Sequence, residues 1–371
     1  MSVKTKIYVP PVVEGKPIVK LVEAYRGIAS SDGTMFTHEI PNDFALTTFE
    51  FIDVPEGAAF ALSPHPIRRA GDWAHVYAKE LAQVMAPFGK KVAVFIAGDL
   101  AFNQKITDPE LVVLIGSQYK SNLGAQEIVV PPFAEDPFVE GVHVEPLPYA
   151  DIPRVGFCGW ASFPSFKAYA IAYCRKMGWY AASVVTGKIY LRARQRGLFY
   201  RIAGLAALRN EPRIQTSFVI RSSFSANSKT VSNDPEVLRR EFVENMTTNH
   251  FAFAPKGDGN YSVRFYEALA YGRIPVLIDT DIALPLEHCI PYEQFIVRVP
   301  HTQLTKVGDY IVRAYESFGR EGIVDAQKQA RQAYRSMLRY DAFFNELFSR
   351  PLEETLEASR AFYARRNNTI E

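Results

Sequence analysis

Residues 251–278 read FAFAPKGDGNYSVRFYEALAYGRIPVLI and hold a strand, a loop, a helix and a second strand in one short run. Phe251–Ala254 is apolar and has the length of a buried strand, whereas Pro255-Lys256-Gly257-Asp258-Gly259-Asn260 has the breaker chemistry of a loop. Ser262 stands where a helix cap belongs, and apolar residues recur at helical spacing from Val263 to Ala270. Gly272 then takes the C-terminal cap position, and Ile274–Ile278 reads as a second buried strand. The loop therefore opens onto a helix N-terminus, where unpaired backbone N–H groups and the helix dipole favour an anion. A diphosphate suits that chemistry: Gly257 and Gly259 let the backbone come close, and Lys256 and Arg264 supply charge-assisted hydrogen bonds. Arg264 and Glu267 are three apart on one helical face, so a phosphate held by the first leaves a ribose within reach of the second. Tyr261 and Asn260 flank the loop and are candidates to stack on a base or touch a sugar. The same spacing also suits a glycine-rich surface turn with an ordinary Arg–Glu helix pair, and spacing alone does not separate the two.

A chain of 371 residues is longer than one ordinary domain, so two domains with separate cores are expected. Nearly half the residues are hydrophobic and the net charge is only +2, which gives no support to a nucleic-acid partner. Cys158, Cys174 and Cys289 form no C-x-x-C pair, and the scattered histidines show no metal-ligand spacing, so neither a disulfide scaffold nor a metal is implied. Residues 1–16 lack the apolar core of a signal peptide, and no run approaches the length of a transmembrane segment; a cytoplasmic location is the expectation.

Short apolar strands alternate with longer amphipathic helices, which favours parallel sheets covered on both faces. Strands are expected at Lys6–Val9, Ala45–Phe51, Ala58–Leu62, Val92–Ile96, Leu111–Ile115 and Ile128–Val130, with the clearest early helix at Trp73–Met85. The proline-rich stretch before Arg154 suggests a domain boundary near residue 150. Beyond it, strands are expected at Val155–Cys158, Phe218–Arg221, Phe251–Ala254, Ile274–Ile278 and Phe295–Val299, with helices around 164–177, 198–208, 235–247 and 262–271. Thr302–Phe318, Ile323–Tyr340, Asp341–Phe348 and Leu352–Arg365 read as successive C-terminal helices. The expected division is 1–150, 151–300 and a helical segment 301–371.

The 251–278 segment closely resembles the signature of the exostosin-like glycosyltransferases, a GDG-N-S-x-R-x-x-E-A-L-x-x-G-x-I-P-V run, here Gly257, Asp258, Gly259, Ser262, Arg264 and Glu267 in order. Val155-Gly156-Phe157-Cys158-Gly159 and Phe218-Val219-Ile220-Arg221 resemble two strands of the same family more weakly. The resemblance implies an α/β, GT-B-like fold: two Rossmann-like domains facing a central cleft, an N-terminal acceptor side, a C-terminal donor side, and terminal helices that pack back on the first domain. It further implies an inverting transfer of a sugar from a nucleotide donor, a UDP-sugar being favoured, to a glycan or other hydroxyl acceptor, with Glu267 on the ribose and no metal. Two alternatives stay open, a catalytically silent nucleotide- or glycan-binding protein of this fold and a fucosyltransferase-like enzyme using a GDP-sugar.

In open α/β sheets the ligand crevice lies beyond the carboxyl ends of the strands. Residues that follow expected strands are therefore weighted, and His65, Arg68 and Asp99 are among them. His65 and Asp99 are the candidate bases for an acceptor hydroxyl, although Asp99 also suits a turn and the nearby Asp72 suits a helix cap. Arg221, at a strand end, is a candidate phosphate ligand, with Arg194 as a weaker helper from the Arg192, Arg194, Arg196 cluster.

Overall fold

The computed structural model describes residues 4–27, 44–99, 101–222 and 234–367. Among them, eleven strands form two sheets in which every neighbouring pair is parallel. The first sheet comprises β1 (Thr5–Tyr8), β2 (Phe49–Ile52), β3 (Phe60–Leu62), β4 (Val92–Ile96), β5 (Leu111–Ile115) and β6 (Glu127–Val129), in the order β2-β1-β3-β4-β5-β6. Helices α1 (Lys20–Arg26) and α2 (Trp73–Met85) belong to this half. Asp72 caps α2, its Oδ1 accepting from the His75 N–H at 2.9 Å, while Oδ2 accepts from the Arg68 and Arg69 N–H groups. Burial works against that carboxylate, but these N–H groups outweigh it and hold its pKa below the usual value.

The second sheet comprises β7 (Arg154–Trp160), β8 (Gln215–Arg221), β9 (Phe251–Phe253), β10 (Ile274–Asp279) and β11 (Val297–Pro300), in the order β11-β10-β9-β7-β8. Its helices are α3 (Phe166–Thr186), α4 (Tyr190–Ala193), α5 (Gly197–Arg209), α6 (Pro235–Thr248) and α7 (Val263–Ala270). In both sheets the first strand lies between the second and the third, so both are Rossmann-like and each reverses its winding beside its first strand. Pro275 sits in β10 where its missing N–H does no harm, because the N–H before it bonds back to His250 and β11 begins only opposite Val276.

The C-terminal residues are helical, as α8 (Val307–Ala333), α9 (Tyr340–Leu347) and α10 (Leu352–Asn367). The two helices expected over 302–318 and 323–340 are both present within α8, parted at Gly319, whose φ of 63° and ψ of −166° only glycine adopts readily. A π turn, Tyr334–Leu338, closes it. The helices after it return to the first sheet: the Phe348 ring lies 5.1 Å from both Phe49 and Phe60, and Phe344 lies 5.7 Å from Phe95. Asn345 fixes the approach, its Oδ1 accepting from the Thr47 N–H at 2.8 Å and its Nδ2 donating to the Ala45 carbonyl at 2.6 Å. The expected α/β architecture of two Rossmann-like sheets with a helical C-terminal segment is therefore present.

Phe348 is fully buried where the last helices meet β2 and β3. Phe348→Ala is expected to cost about 3–5 kcal/mol, read as a lowered midpoint in urea.

Candidate active site

The winding of the second sheet reverses between β7 and β9, and a cavity of about 470 Å³ opens there. Its walls come from the ends of those strands (Phe157–Trp160, Phe253), from the loop (Pro255, Gly257, Asp258) and from the first turns of α7. Ser262 holds the N-cap position of α7, but its hydroxyl makes no capping bond, which corrects the expected side-chain cap and leaves the hydroxyl on the cavity wall. The far end of α7 closes as expected at Gly272, with φ of 57° and the paired bonds Gly272 N–H to Leu269 O (2.9 Å) and Arg273 N–H to Ala268 O (2.8 Å).

Arg264 and Glu267 both line the cavity and pair across one helical turn, Nε to Oε2 at 2.9 Å. The Arg264 guanidinium lies 4.9 Å from the Phe242 ring and 5.9 Å from Phe157, which restricts its rotamers. Arg221 lines the same cavity, with its Nη2 donating to the Leu238 carbonyl and to Glu241, each at 3.1 Å. Arg264 Nη1 and Arg221 Nε are buried and have no hydrogen-bond partner among the described residues. Arg201 completes the set: it donates to the Trp160 carbonyl at 3.0 Å, and burial, with the Arg264 charge adding to it, brings its pKa down to about 10. Sequence reasoning missed Arg201. The signal for it was the glycine pair on α5, because Gly197 and Gly204 mark a helix face that approaches its neighbours closely, and Arg201 lies between them.

That close approach is severe. A Cβ on Gly197 would lie 2.1 Å from the Lys256 carbonyl oxygen and 2.5 Å from that of Gly257. On the other side of the loop, a Cβ on Gly259 would lie 2.8 Å from the Asp99 carbonyl oxygen, so Gly259 serves packing against the first sheet rather than lining the cavity. Asn260 is fully buried as well: its N–H donates to Ser117 Oγ at 2.8 Å and its side-chain amide to the Gln118 carbonyl at 3.0 Å. The expectation that Asn260 meets a base or sugar is corrected, since both ends of its amide are committed to protein.

A second cavity, of about 720 Å³, lies on the other side of the loop. Arg68, Arg175, Lys176, Arg194, Arg196 and Lys256 line it, against the carboxylates Asp99 and Asp258. Lys256 and Arg194, expected beside a diphosphate in the first cavity, face this one instead. Lys256 is buried with its Nζ 3.4 Å from the Tyr119 hydroxyl, and the Arg194 guanidinium stacks 3.8 Å from the Trp179 ring. Asp258 and Asp99 line both cavities. Asp258 is held in a two-pronged pair with Arg196, at 3.1 and 3.0 Å. Asp99 is exposed and accepts from the Tyr261 hydroxyl at 2.8 Å through Oδ1. Burial and the Asp99 charge push the Tyr261 phenol well above its ordinary pKa, so it stays a donor.

His65 lies in neither cavity. It is buried, its Nδ1 is 2.7 Å from the Pro17 carbonyl, and its Nε2 accepts from the Val13 N–H at 3.0 Å. That pattern fixes the neutral ring with the proton on Nδ1, and burial lowers its pKa, so the candidacy of His65 as a base is corrected to a tie holding residues 13–17 on the first sheet.

Residues 188–314 match the family described as the exostosin GT47 domain, a span that holds Arg194, Arg201, Arg221, the glycine loop and α7. The chain is 36% identical over 66 residues to a probable glucuronosyltransferase of Oryza sativa subsp. japonica, covering 18% of this chain and 16% of that protein. It is 30% identical over 109 residues to the probable glucuronosyltransferase GUT1 of the same plant, covering 28% and 24%. The chain thus spans a quarter or less of the length of these relatives. Among solved structures, a glycosyltransferase from Rickettsia africae ESF-5 aligns over 96% of this chain and 98% of its own, at 11% identity and a TM-score of 0.37. Residues 188–314 thus resemble the exostosin GT47 domain.

Gly197→Ala is expected to lower stability by about 1–3 kcal/mol, because the atoms it meets are backbone and the loop has to move. Thermal unfolding measures that loss. Lys256 gives a second test. Burial, opposed by Asp258 and reinforced by Arg194, brings its pKa from 10.5 down to about 7. Between those two values the unfolded chain holds the proton that the folded chain has released, so this group adds stability as pH rises from about 7 toward 10.5. Thermal midpoints taken at both ends of that window should rise more for the wild type than for Lys256→Met.

Proposed function

We propose that this chain is an inverting glycosyltransferase that moves a sugar from a nucleoside diphosphate donor, a UDP-sugar, to a hydroxyl of a glycan or similar acceptor. The observation that carries it is the Arg264–Glu267 pair beside two buried guanidinium nitrogens without partners among the described residues, at the winding reversal of the second sheet. Buried donors left unpaired are costly, and diphosphate oxygens are acceptors of the right charge. Glu267 takes the ribose hydroxyls. Arg201, Arg221 and Arg264 receive the charge that develops on the departing diphosphate, the task a divalent cation performs in other glycosyltransferases. Asp99 stands where the two cavities meet, with Oδ1 held by Tyr261, and its carboxylate takes the proton of the acceptor hydroxyl. As that oxygen bonds to the anomeric carbon, the bond to the diphosphate breaks and the pair of electrons leaves with it.

In this proposal the nucleotide occupies the first cavity, the acceptor enters through the second, no metal is required, and the protein works in the cytoplasm. The closest competing outcome is binding without transfer, the behaviour of a silent protein of the same fold.

The test is release of nucleoside diphosphate from a panel of UDP- and GDP-sugars. Arg264→Ala should lower turnover by more than about ten-fold, the equivalent of a charge-assisted contact of roughly 1.5–3 kcal/mol. Asp99→Asn should lower it by about 10²–10⁴ while the thermal shift given by UDP is retained. Unchanged kinetics in both variants refutes the assignment, and a larger thermal shift with GDP than with UDP refutes the choice of donor.

A further inference from the structure

Helix α3 is 21 residues long, yet only Ala172 and Ser183 in it are buried. Phe166, Tyr169, Tyr173, Met177, Tyr180 and Val184 follow one another at steps of three or four residues, which places them on one stripe along about five turns. All six are between 40% and 83% exposed. Val185 in the last turn and Ile189 beyond it are exposed apolar residues as well. A continuous stripe of this length is the kind of surface that proteins cover with something else.

Charge decides what covers it. Between Asp151 and Glu211 the chain carries ten Lys or Arg residues and no Asp or Glu, although the whole chain is nearly neutral. Lys167 and Lys188 are exposed at the two ends of the helix, and Lys176 lies between them, beside the stripe at three residues after Tyr173 and four before Tyr180. A second copy laid along the stripe would bring these cations against their own kind, at a cost in repulsion. A negatively charged surface with an apolar layer beneath it satisfies the stripe and its basic flanks together. Tyrosines suit the boundary between headgroups and acyl chains, with the ring buried and the hydroxyl wet. No described helix is long and apolar enough to cross a membrane, so α3 would lie along a bilayer rather than through it.

We propose that α3 docks the protein on a bilayer surface that carries anionic lipid headgroups. Ala172, Arg175, Lys176 and Trp179 of this helix also form a wall of the second cavity, so the docked helix and that cavity are joined.

Co-sedimentation of the full chain with vesicles tests this without reference to sugar transfer. Vesicles containing about a third phosphatidylglycerol in phosphatidylcholine should bind at least about ten-fold more strongly than phosphatidylcholine alone, and added salt should weaken the binding. The double variant Tyr173→Glu, Met177→Glu should lose at least about ten-fold of that binding with its circular dichroism unchanged, since both side chains are exposed. Lys167→Glu with Lys188→Glu, at two exposed positions outside both cavities, should abolish the preference for the anionic lipid. Absence of vesicle binding, equal binding to neutral vesicles, or unchanged binding in these variants overturns the proposal. So does a dimer in sedimentation velocity that the first variant splits while vesicles remain unbound, because a second copy then covers the stripe.

Discussion

Asn260 is a fully buried amide whose partners come from both sheets, and the cleft depends on it. Ser117 and Gln118, which follow β5, receive its two donors, and the Thr280 hydroxyl, which follows β10, donates to its Oδ1 at 2.7 Å. A buried amide costs free energy unless its groups are paired, so this one is satisfied only while the two sheets keep this relation. A charged layer surrounds it: Lys120 donates to Asp279 at 3.0 Å, and Arg298 reaches Asp279, Glu287 and Glu293 at 3.2, 3.0 and 2.9 Å. Burial alone would raise the Asp279 pKa, but the Lys120 and Arg298 charges outweigh it and hold it down to about 2. Networks of this kind add little net stability over apolar packing, and their effect is to specify one arrangement.

Pinning the loop in this way divides the labour within four residues. Gly257 and Asp258 face the cavities, while Gly259 and Asn260 face the first sheet, and Gly197 closes the loop from behind. The loop wall of the first cavity is therefore set by contacts with α5 and with the first sheet. Asp99 gains its position from the same contacts, because its carbonyl accepts from the Ser117 hydroxyl, at 3.2 Å, that also receives Asn260. A carboxylate from the first sheet is thus held within reach of a loop from the second.

How much of this could be read from the sequence depended on whether the deciding contacts were local. β4 and β5 were legible to the residue, since every position in them is buried and apolar, and α2 was legible because Asp72 caps its start. The edge strand β2 was expected from Ala45 but begins at Phe49, because the backbone before it bonds to Asp341 and Asn345, some three hundred residues away. Helix α3 was expected to stop near Gly178 and runs on to Thr186, since that glycine meets open space and Gly187, at φ of 69°, is the true end. Helix α1, seven residues long with no side-chain cap at its start, offered little signal beyond Gly27 at its C-cap. In the site, Arg264 and Glu267 were legible because their spacing is itself the geometry. Lys256, Asn260 and His65 were misplaced because burial, not sequence neighbourhood, decides which way each one faces. Net charge misled in a similar manner: a total of +2 conceals a 59-residue stretch with cations alone.

On the proposed function, the arrangement of Arg264 prepares the site for a charged ligand. A free arginine loses much rotamer entropy when it grips a phosphate, and that loss subtracts from binding. Here Glu267 already holds Nε and the Phe242 ring lies under the guanidinium plane, so the fork is oriented before a ligand arrives. The bond to Glu267 uses one of five N–H donors, and Nη1 is buried without a partner among the described residues. The cost of desolvating that group is met when the chain folds, not when a ligand binds. Interactions prepared in this way gain most when charge grows on the ligand, as it would in the proposed departure of a diphosphate from a sugar.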